Sequence, residues 1–233
     1  MRLKMEEDMA RKELCEEKVM ATVVSLMERT YIRVGNEDYE KMYGSYGITT
    51  LKDSHVKING DTVHFSFKGK KGIDQNISLK NKRLARMIKK CREIPGRELF
   101  QYYDAEGNRK SIDSGMVNRY IKEATGDDFS AKDFRTWAGT LNILRAFKTI
   151  GLADSESDSK KNIVSALDEV SKQLGNTRTV CKKYYVHPGI IRLYEEQNLD
   201  KYINELDEIE EPDNLSGLTS DERVLMKILK QLV

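Results

Sequence analysis

The chain has 233 residues, of which 39% are hydrophobic and 33% charged, and its formal net charge is +2. This composition is typical of a soluble globular protein, and no apolar run approaches the ~20 residues that a bilayer span needs. Residues 1–16 are charged throughout, unlike a secretory signal, and three scattered cysteines, Cys15, Cys91 and Cys181, predict a reduced intracellular protein without disulfides or a zinc site.

The first third of the chain predicts helices followed by a small antiparallel sheet. Apolar stripes predict a helix that ends near Arg29 and one or two helical turns over 37–43. Asn59-Gly60 is a strong signal for a hairpin turn, because both positions tolerate a positive φ. Apolar residues alternate over 63–67, which predicts a strand that ends at the tight basic turn 69–72. The other two strands of the sheet are predicted at 55–58 and 77–79.

The remainder of the chain is predicted to be helical. A helix follows Asn81 and is broken by Pro95-Gly96. Either Asp113 or Ser114 is expected to cap a helix that runs to Ala124. Further helices are predicted over 132–150, 162–174, 177–185, 188–197 and 220–232, with a polar loop at 154–159 and a flexible link at 212–217. The predicted fold class is α+β, a mainly helical domain with a small three-stranded antiparallel sheet.

The small net charge conceals a strong asymmetry along the chain. Residues 68–122 contain 15 Lys/Arg against 6 Asp/Glu, whereas residues 200–222 contain 1 Lys against 9 Asp/Glu. The basic part could face a polyanion such as nucleic acid while the acidic part does not. Taken alone, the charge pattern is better explained by solvated surfaces.

Several common chemistries lack their motifs. The sequence has no P-loop, no dinucleotide-binding fingerprint, no nucleophile elbow and no acidic cluster that suggests a two-metal site. What remains are cationic side chains at punctuated positions, Arg33, Lys70 and Arg135, together with Tyr185. Each has an ordinary structural explanation as a salt-bridge partner, a solvated lysine or a packed aromatic. His187, before Pro188, is more typical of a capping or packing residue than of a catalyst.

Taken together, the motifs resemble a known family. They are IRVGNEDY at 32–39, YGITTL at 46–51, FSFKGK at 65–70, KDFRTW at 132–137, LGNT at 174–177 and YVHP at 185–188. In this collinear order, from about Val19 to Tyr194, the sequence resembles the type IB DNA topoisomerases of poxviruses and bacteria. The resemblance implies the catalytic fold shared by these enzymes and the tyrosine recombinases.

The resemblance implies a role for each candidate residue. Tyr185 would attack the scissile phosphate to form a 3′-phosphotyrosyl link, and Arg33 and Arg135 would bind the non-bridging oxygens. Lys70 would protonate the departing 5′ oxygen. Asn176 stands where many relatives have His, and its amide can donate a hydrogen bond but cannot carry a charge. No cofactor, metal or nucleotide is expected, because the covalent ester stores the energy of the broken bond.

The resemblance also implies double-stranded DNA as the partner. Tyr39, Lys132, Ser114 and Lys71 are the expected DNA-binding residues, although Ser114 could equally serve as a helix cap. Asn36 and Asp38 replace basic residues of the viral relatives, which argues against their pentanucleotide preference. We expect a monomer, located in the cytoplasm or nucleoid of a bacterium or in a virus-like intracellular setting.

The domain organisation is interpreted by the same resemblance. Residues 1–233 are interpreted as one catalytic domain without the N-terminal clamp domain of the family. Two alternatives stay open, a tyrosine recombinase and a non-catalytic DNA-binding module. Recombinases usually have His-x-x-Arg where this chain has Lys132-x-x-Arg135. Only the motif register selects Tyr185 over Tyr184 as the nucleophile.

Overall fold

The structure, a computed structural model, describes residues 1–206 and 216–232. It forms two compact units, Met1–Lys132 and Asp133–Val233. The predicted fold class is confirmed, because helices predominate and the three-stranded sheet is present and antiparallel. In the described part of the chain, no helix is both long and apolar enough to cross a membrane. The predicted flexible link at 212–217 lies outside the described residues except for its last two positions.

The first unit combines helices with two small sheets. Its helices are α1 (Arg2–Ala10), α2 (Glu16–Thr30), α3 (Glu37–Tyr43), α4 (Lys82–Arg92) and α5 (Ser114–Thr125). Its strands are β1 (Val56–Asn59), β2 (Thr62–Lys68), β3 (Asp74–Lys80), β4 (Gln101–Tyr103) and β5 (Arg109–Ser111). The first sheet has the order β1-β2-β3 and the second pairs β4 with β5.

Helix α2 forms the centre of the first unit. All its residues from Lys18 to Met27 are buried, because α2 packs against α1, α4 and α5 and against the strands β3 and β4. In the first sheet, the alternating residues Val63, Phe65 and Phe67 of β2 are buried as predicted. Removing this apolar surface from water supplies the main stabilisation of the unit.

The described residues of the second unit form helices and connecting loops, with no strand among them. Its helices are α6 (Ala131–Ile150), which starts two residues before the unit boundary, α7 (Glu156–Leu174), α8 (Arg178–Tyr184), α9 (Pro188–Glu195), α10 (Asp200–Ile203) and α11 (Ser220–Leu232). In the core, the rings of Phe147 and Tyr194 stack with centroids 3.9 Å apart. The Tyr194 hydroxyl donates to the Gly151 carbonyl over 2.6 Å, so this buried polar group is satisfied.

Some predicted boundaries were wrong for identifiable reasons. The hairpin loop is Gly60-Asp61 and not Asn59-Gly60, because Asn59 pairs with Thr62 in the ladder and only Gly60 has a positive φ. Helix α7 begins six residues before the prediction, because the Ser155 hydroxyl accepts the Asp158 N–H and caps it. Helices α1 and α10 and the β4–β5 hairpin were not predicted.

Candidate active site

Arg33 lies in the segment that follows α2, where two backbone segments approach closely. Its carbonyl accepts the Ile48 N–H over 2.8 Å, and this bond joins the IRVGNEDY and YGITTL motifs. A Cβ at Gly47 would lie 2.4 Å from the Gly35 Cα, so this approach requires a residue without a side chain. The pairing fixes the backbone from which the half-buried Arg33 side chain extends.

Lys70 lies on the exposed turn between β2 and β3. The Gly69 N–H donates to the Ile73 carbonyl over 2.8 Å, and Lys71 adopts a left-handed conformation with φ 63. Both lysines of the turn are exposed. The Lys70 ammonium lies 5.9 Å from the centroid of the Tyr39 ring, at the outer limit of a cation–π contact. The structure therefore brings together two predicted site residues, Lys70 and Tyr39.

Helix α3, which carries Tyr39, is anchored by a lysine that sequence reasoning missed. The Lys52 ammonium lies 2.8 Å from the Glu40 carboxylate and 3.2 Å from that of Glu98. Burial alone would lower the pKa of Lys52, but the hydrogen bonds to both carboxylates outweigh it and raise the pKa. Lys52 therefore stays charged and holds α3 beside the Lys70 turn. Nothing in the sequence pairs Lys52 with Glu98, which is 46 residues away.

Arg135 and Tyr185 meet in the second unit. Arg135 is only 5% exposed, and its Nη2 donates to the Leu174 carbonyl over 2.7 Å. The guanidinium carbon lies 5.0 Å from the centroid of the Tyr185 ring. The structure therefore brings these two candidate residues together. Tyr184 is instead 51% exposed, and the Lys183 ammonium lies 5.1 Å from the centroid of its ring.

The backbone of Tyr185 rests directly on α6. A Cβ at Gly139 would lie 2.5 Å from the Tyr185 carbonyl oxygen, so only glycine allows this approach. The Thr140 hydroxyl lies 3.3 Å from the same carbonyl oxygen and accepts the His187 N–H over 3.1 Å. Sequence reasoning missed Gly139 and Thr140. Their only signal was a glycine inside a long helix, four residues after Arg135.

The LGNT motif is a helix terminus. Gly175 adopts φ 57 and donates its N–H to the Lys172 carbonyl, and the Asn176 N–H donates to the Ser171 carbonyl over 2.9 Å. These two bonds form a Schellman motif that ends α7. The Leu174 carbonyl lies at this negative end of the helix dipole and accepts a hydrogen bond from Arg135. Asn176 is half-buried two residues further on.

The remaining candidates lie near the surface. The structure assigns the α5 cap to Asp113, whose carboxylate accepts the Met116 N–H over 2.8 Å, so the alternative of Ser114 as the cap was wrong. Ser114 is the first residue of α5 and is half-buried, while Lys132 is exposed. The predicted capping role of His187 is confirmed, because its Nδ1 accepts the Gly189 N–H at the start of α9.

The candidate residues divide between the two units. Arg33 and Lys70 belong to the first unit, and Arg135, Asn176 and Tyr185 belong to the second. Among the residues that the structure describes, no three His, Cys, Asp or Glu side chains lie together as metal ligands.

Comparisons with known proteins agree on one family. The family described as eukaryotic DNA topoisomerase I, catalytic core, matches residues 1–211. The DNA topoisomerase 1B of Acanthamoeba polyphaga mimivirus is 33% identical over 185 residues, which cover 76% of this chain and 55% of the viral protein. The vaccinia virus (strain Copenhagen) DNA topoisomerase 1B is 25% identical over 76% of this chain and 54% of its own length. The DNA topoisomerase 1 of Mycosarcoma maydis is 26% identical over 145 residues, 54% of this chain and 14% of the fungal protein.

These matches cover only part of the viral relatives and only part of this chain. The chain spans about half the length of the viral relatives that it matches, 55% and 54%. The family match ends at residue 211, so helix α11 lies outside it.

Proposed function

The chain belongs to the DNA topoisomerase I family, in which it matches the catalytic core, and on this premise we propose that it is a type IB topoisomerase. The enzyme would cut one strand of duplex DNA, allow supercoils to relax and reseal the strand, without ATP or metal. The observation that carries the proposal is the buried guanidinium of Arg135, 5.0 Å from the Tyr185 ring centroid.

The first step is attack by Tyr185 on the scissile phosphorus. The tyrosine oxygen forms the new bond to phosphorus and gives up its proton to water, and the bond from phosphorus to the 5′ oxygen breaks. The positive charge of Arg135 beside the tyrosine stabilises the negative charge that builds up around the phosphorus during the attack. The product is a 3′-phosphotyrosyl ester and a free 5′ hydroxyl. Resealing is the reverse reaction, with the 5′ hydroxyl as the nucleophile.

The other candidates stabilise charge and supply the proton. Arg33 and Arg135 bind the non-bridging oxygens, where charge accumulates, and an arginine fork suits two oxygens and never loses its proton. Lys70 donates its proton to the departing 5′ oxygen, and its exposed turn lets it reach bound DNA and regain a proton from solvent. Asn176 donates a hydrogen bond from its amide.

The substrate of the proposed reaction is double-stranded DNA. Lys71, Lys132 and Ser114 are proposed to contact phosphates, and Tyr39 to contact the DNA beside Lys70. Phosphate contacts of this kind bind DNA without reading its sequence. One chain carries all five catalytic candidates, so we propose that it acts as a monomer.

Relaxation of supercoiled plasmid in EDTA without ATP tests the proposal, with covalent adducts trapped by detergent. The wild type is expected to relax plasmid that carries no particular site and to form an adduct. Tyr185→Phe is expected to do neither, while Tyr184→Phe behaves as wild type. Loss of the adduct in Tyr184→Phe alone would mean that Tyr184, and not Tyr185, is the nucleophile. Binding to a short duplex without any adduct would instead identify a non-catalytic module, and dependence on a specific site would indicate a recombinase.

A further inference from the structure

Helix α11 is fastened to α6 by a buried carboxylate. Glu222 is 4% exposed, and its Oε1 accepts the indole N–H of Trp137 over 3.0 Å. Its Oε2 accepts the Thr219 N–H over 2.8 Å, while the Glu222 N–H donates to the Thr219 hydroxyl. This is a capping box that begins α11. One side chain therefore both starts the helix and docks it against α6.

A second contact joins α11 to α6 at a later position on α6. The Arg145 Nε lies 2.5 Å from Asp221 Oδ2, and Asp221 is 8% exposed. Charge-assisted bonds to a buried carboxylate are stronger than ordinary surface ion pairs. Two neighbouring acidic residues of α11 thus bind α6 at two points, Trp137 and Arg145, which are eight residues apart in the sequence.

The far end of α11 reaches the segment that follows Tyr185. A Cβ at Gly189 would lie 2.4 Å from Cδ1 of Leu232, so the two residues are in close contact. Gly189 is buried in the first turn of α9, four residues after Tyr185. The hydroxyl of Tyr202 also contacts Gln231. Helix α11 therefore spans from α6, which carries Arg135, to the start of α9.

We propose that α11 positions Tyr185 against Arg135, with Glu222 and Trp137 as positioning residues; this inference rests on the proposed function. Trp137 lies roughly 200° around α6 from Arg135, so α11 holds the opposite side of that helix. The side of α6 with Gly139 and Thr140 touches the Tyr185 backbone. Because α11 contacts both α6 and α9, it keeps the Tyr185 ring next to the Arg135 guanidinium.

Adduct formation in a single turnover at saturating DNA tests this role. Glu222→Ala and Trp137→Phe are expected to slow adduct formation by about tenfold, because small misplacements of reacting groups cost rate. The dissociation constant for DNA should stay within about twofold, since no DNA-binding candidate lies on α11. Glu222→Gln keeps an acceptor for the indole and should recover most of the rate. Lys230→Ala, on the exposed side of α11, is the matched control and should match the wild type.

Hydrogen exchange of the free protein supplies a readout that does not depend on activity. In Glu222→Ala, amides over 185–189 should exchange faster, while those of α7 over 160–174 keep their protection. Equal acceleration in both segments would mean a general loss of stability and would overturn the inference, as would unchanged exchange with an unchanged rate. If the wild type formed no adduct, the proposed function would fail, and exchange alone would still decide whether α11 holds the Tyr185 segment.

Discussion

Lys70 of the first unit and Arg135 of the second have opposite exposures to solvent. In the first unit, Lys70 stands exposed on a turn, with the ring of Tyr39 as its neighbour at 5.9 Å. In the second, Arg135 is 5% exposed and Tyr185 is seated on Gly139 and Thr140. A general acid has to exchange its proton with solvent, whereas a cation that stabilises charge acts more strongly away from water. We therefore expect a substitution of the exposed Lys70 to alter chemistry alone. A substitution at the buried Arg135 should alter chemistry and stability together.

The largest expected effect is that of Lys70→Ala. Loss of the proposed acid should slow strand cleavage by roughly 10²–10⁴-fold, while the free energy of unfolding stays within about 0.5 kcal/mol of wild type. Single-turnover cleavage and urea unfolding measure the two quantities. A substrate with sulfur in place of the departing 5′ oxygen needs no acid and should restore the rate. An equal defect on both substrates would contradict the assigned role.

Arg135→Ala should be nearly as damaging to cleavage and should also weaken the fold. We expect cleavage to slow by roughly 10²–10³-fold, in the range for a preorganised donor to a developing oxyanion. The buried Leu174 carbonyl would lose its donor, at a cost of about 1–3 kcal/mol in the free energy of unfolding. Single-turnover cleavage and urea unfolding again measure the two quantities. Unchanged stability would show that the contrast between the units is wrong.

Gly139→Ala tests the seat of Tyr185 directly. The new Cβ would lie 2.5 Å from the Tyr185 carbonyl oxygen, so the backbone at Tyr185 has to shift. Such overpacking costs about 1–3 kcal/mol, and we expect adduct formation to slow by about tenfold. Thermal unfolding and adduct trapping give both values. Gly217→Ala adds the same methyl group to open space and should be neutral in both.

His55 of the first unit should make stability depend on pH. Burial, followed by the charge of Lys52, lowers its pKa, and its Nδ1 accepts the Lys52 N–H over 3.0 Å. A histidine with a lowered folded pKa stabilises the fold fully above its unfolded pKa of about 6.5. This contribution is lost as the pH falls through 6.5 towards the folded pKa. Urea unfolding at pH 7.5 and 5.5 should show a decrease in the free energy of unfolding that His55→Gln lacks.

The smallest effects distinguish Asp113 from Ser114 at the start of α5. Asp113→Ala removes the observed cap and should lower the free energy of unfolding by about 1 kcal/mol. Ser114→Ala should leave stability unchanged and weaken DNA binding modestly, with the same change on every sequence. Unfolding and DNA-binding titrations at fixed salt separate the two roles. A stability loss in Ser114→Ala equal to that of Asp113→Ala would contradict the observed cap.

Much of the local structure was readable from the chain. Alternation over 63–67, the basic turn at 69–72 and the start of α6 near residue 132 all appear where they were predicted. Each signal acts over a few residues, through side-chain periodicity, a tolerated positive φ or a capping side chain. The hairpin loop moved by one residue because cross-strand pairing, and not turn propensity alone, selects the register.

The surroundings of the candidate nucleophile were decided by tertiary structure. The motif register selected Tyr185, but the contact that separates it from Tyr184 is the guanidinium of Arg135. That arginine bonds a carbonyl 39 residues away, and Thr140 reaches the Tyr185 carbonyl across 45 residues. The sequence by itself determined which elements form and which residue types can support phosphoryl transfer. Which side chains face one another depends on how helices distant in the chain pack, and no local pattern encodes that packing.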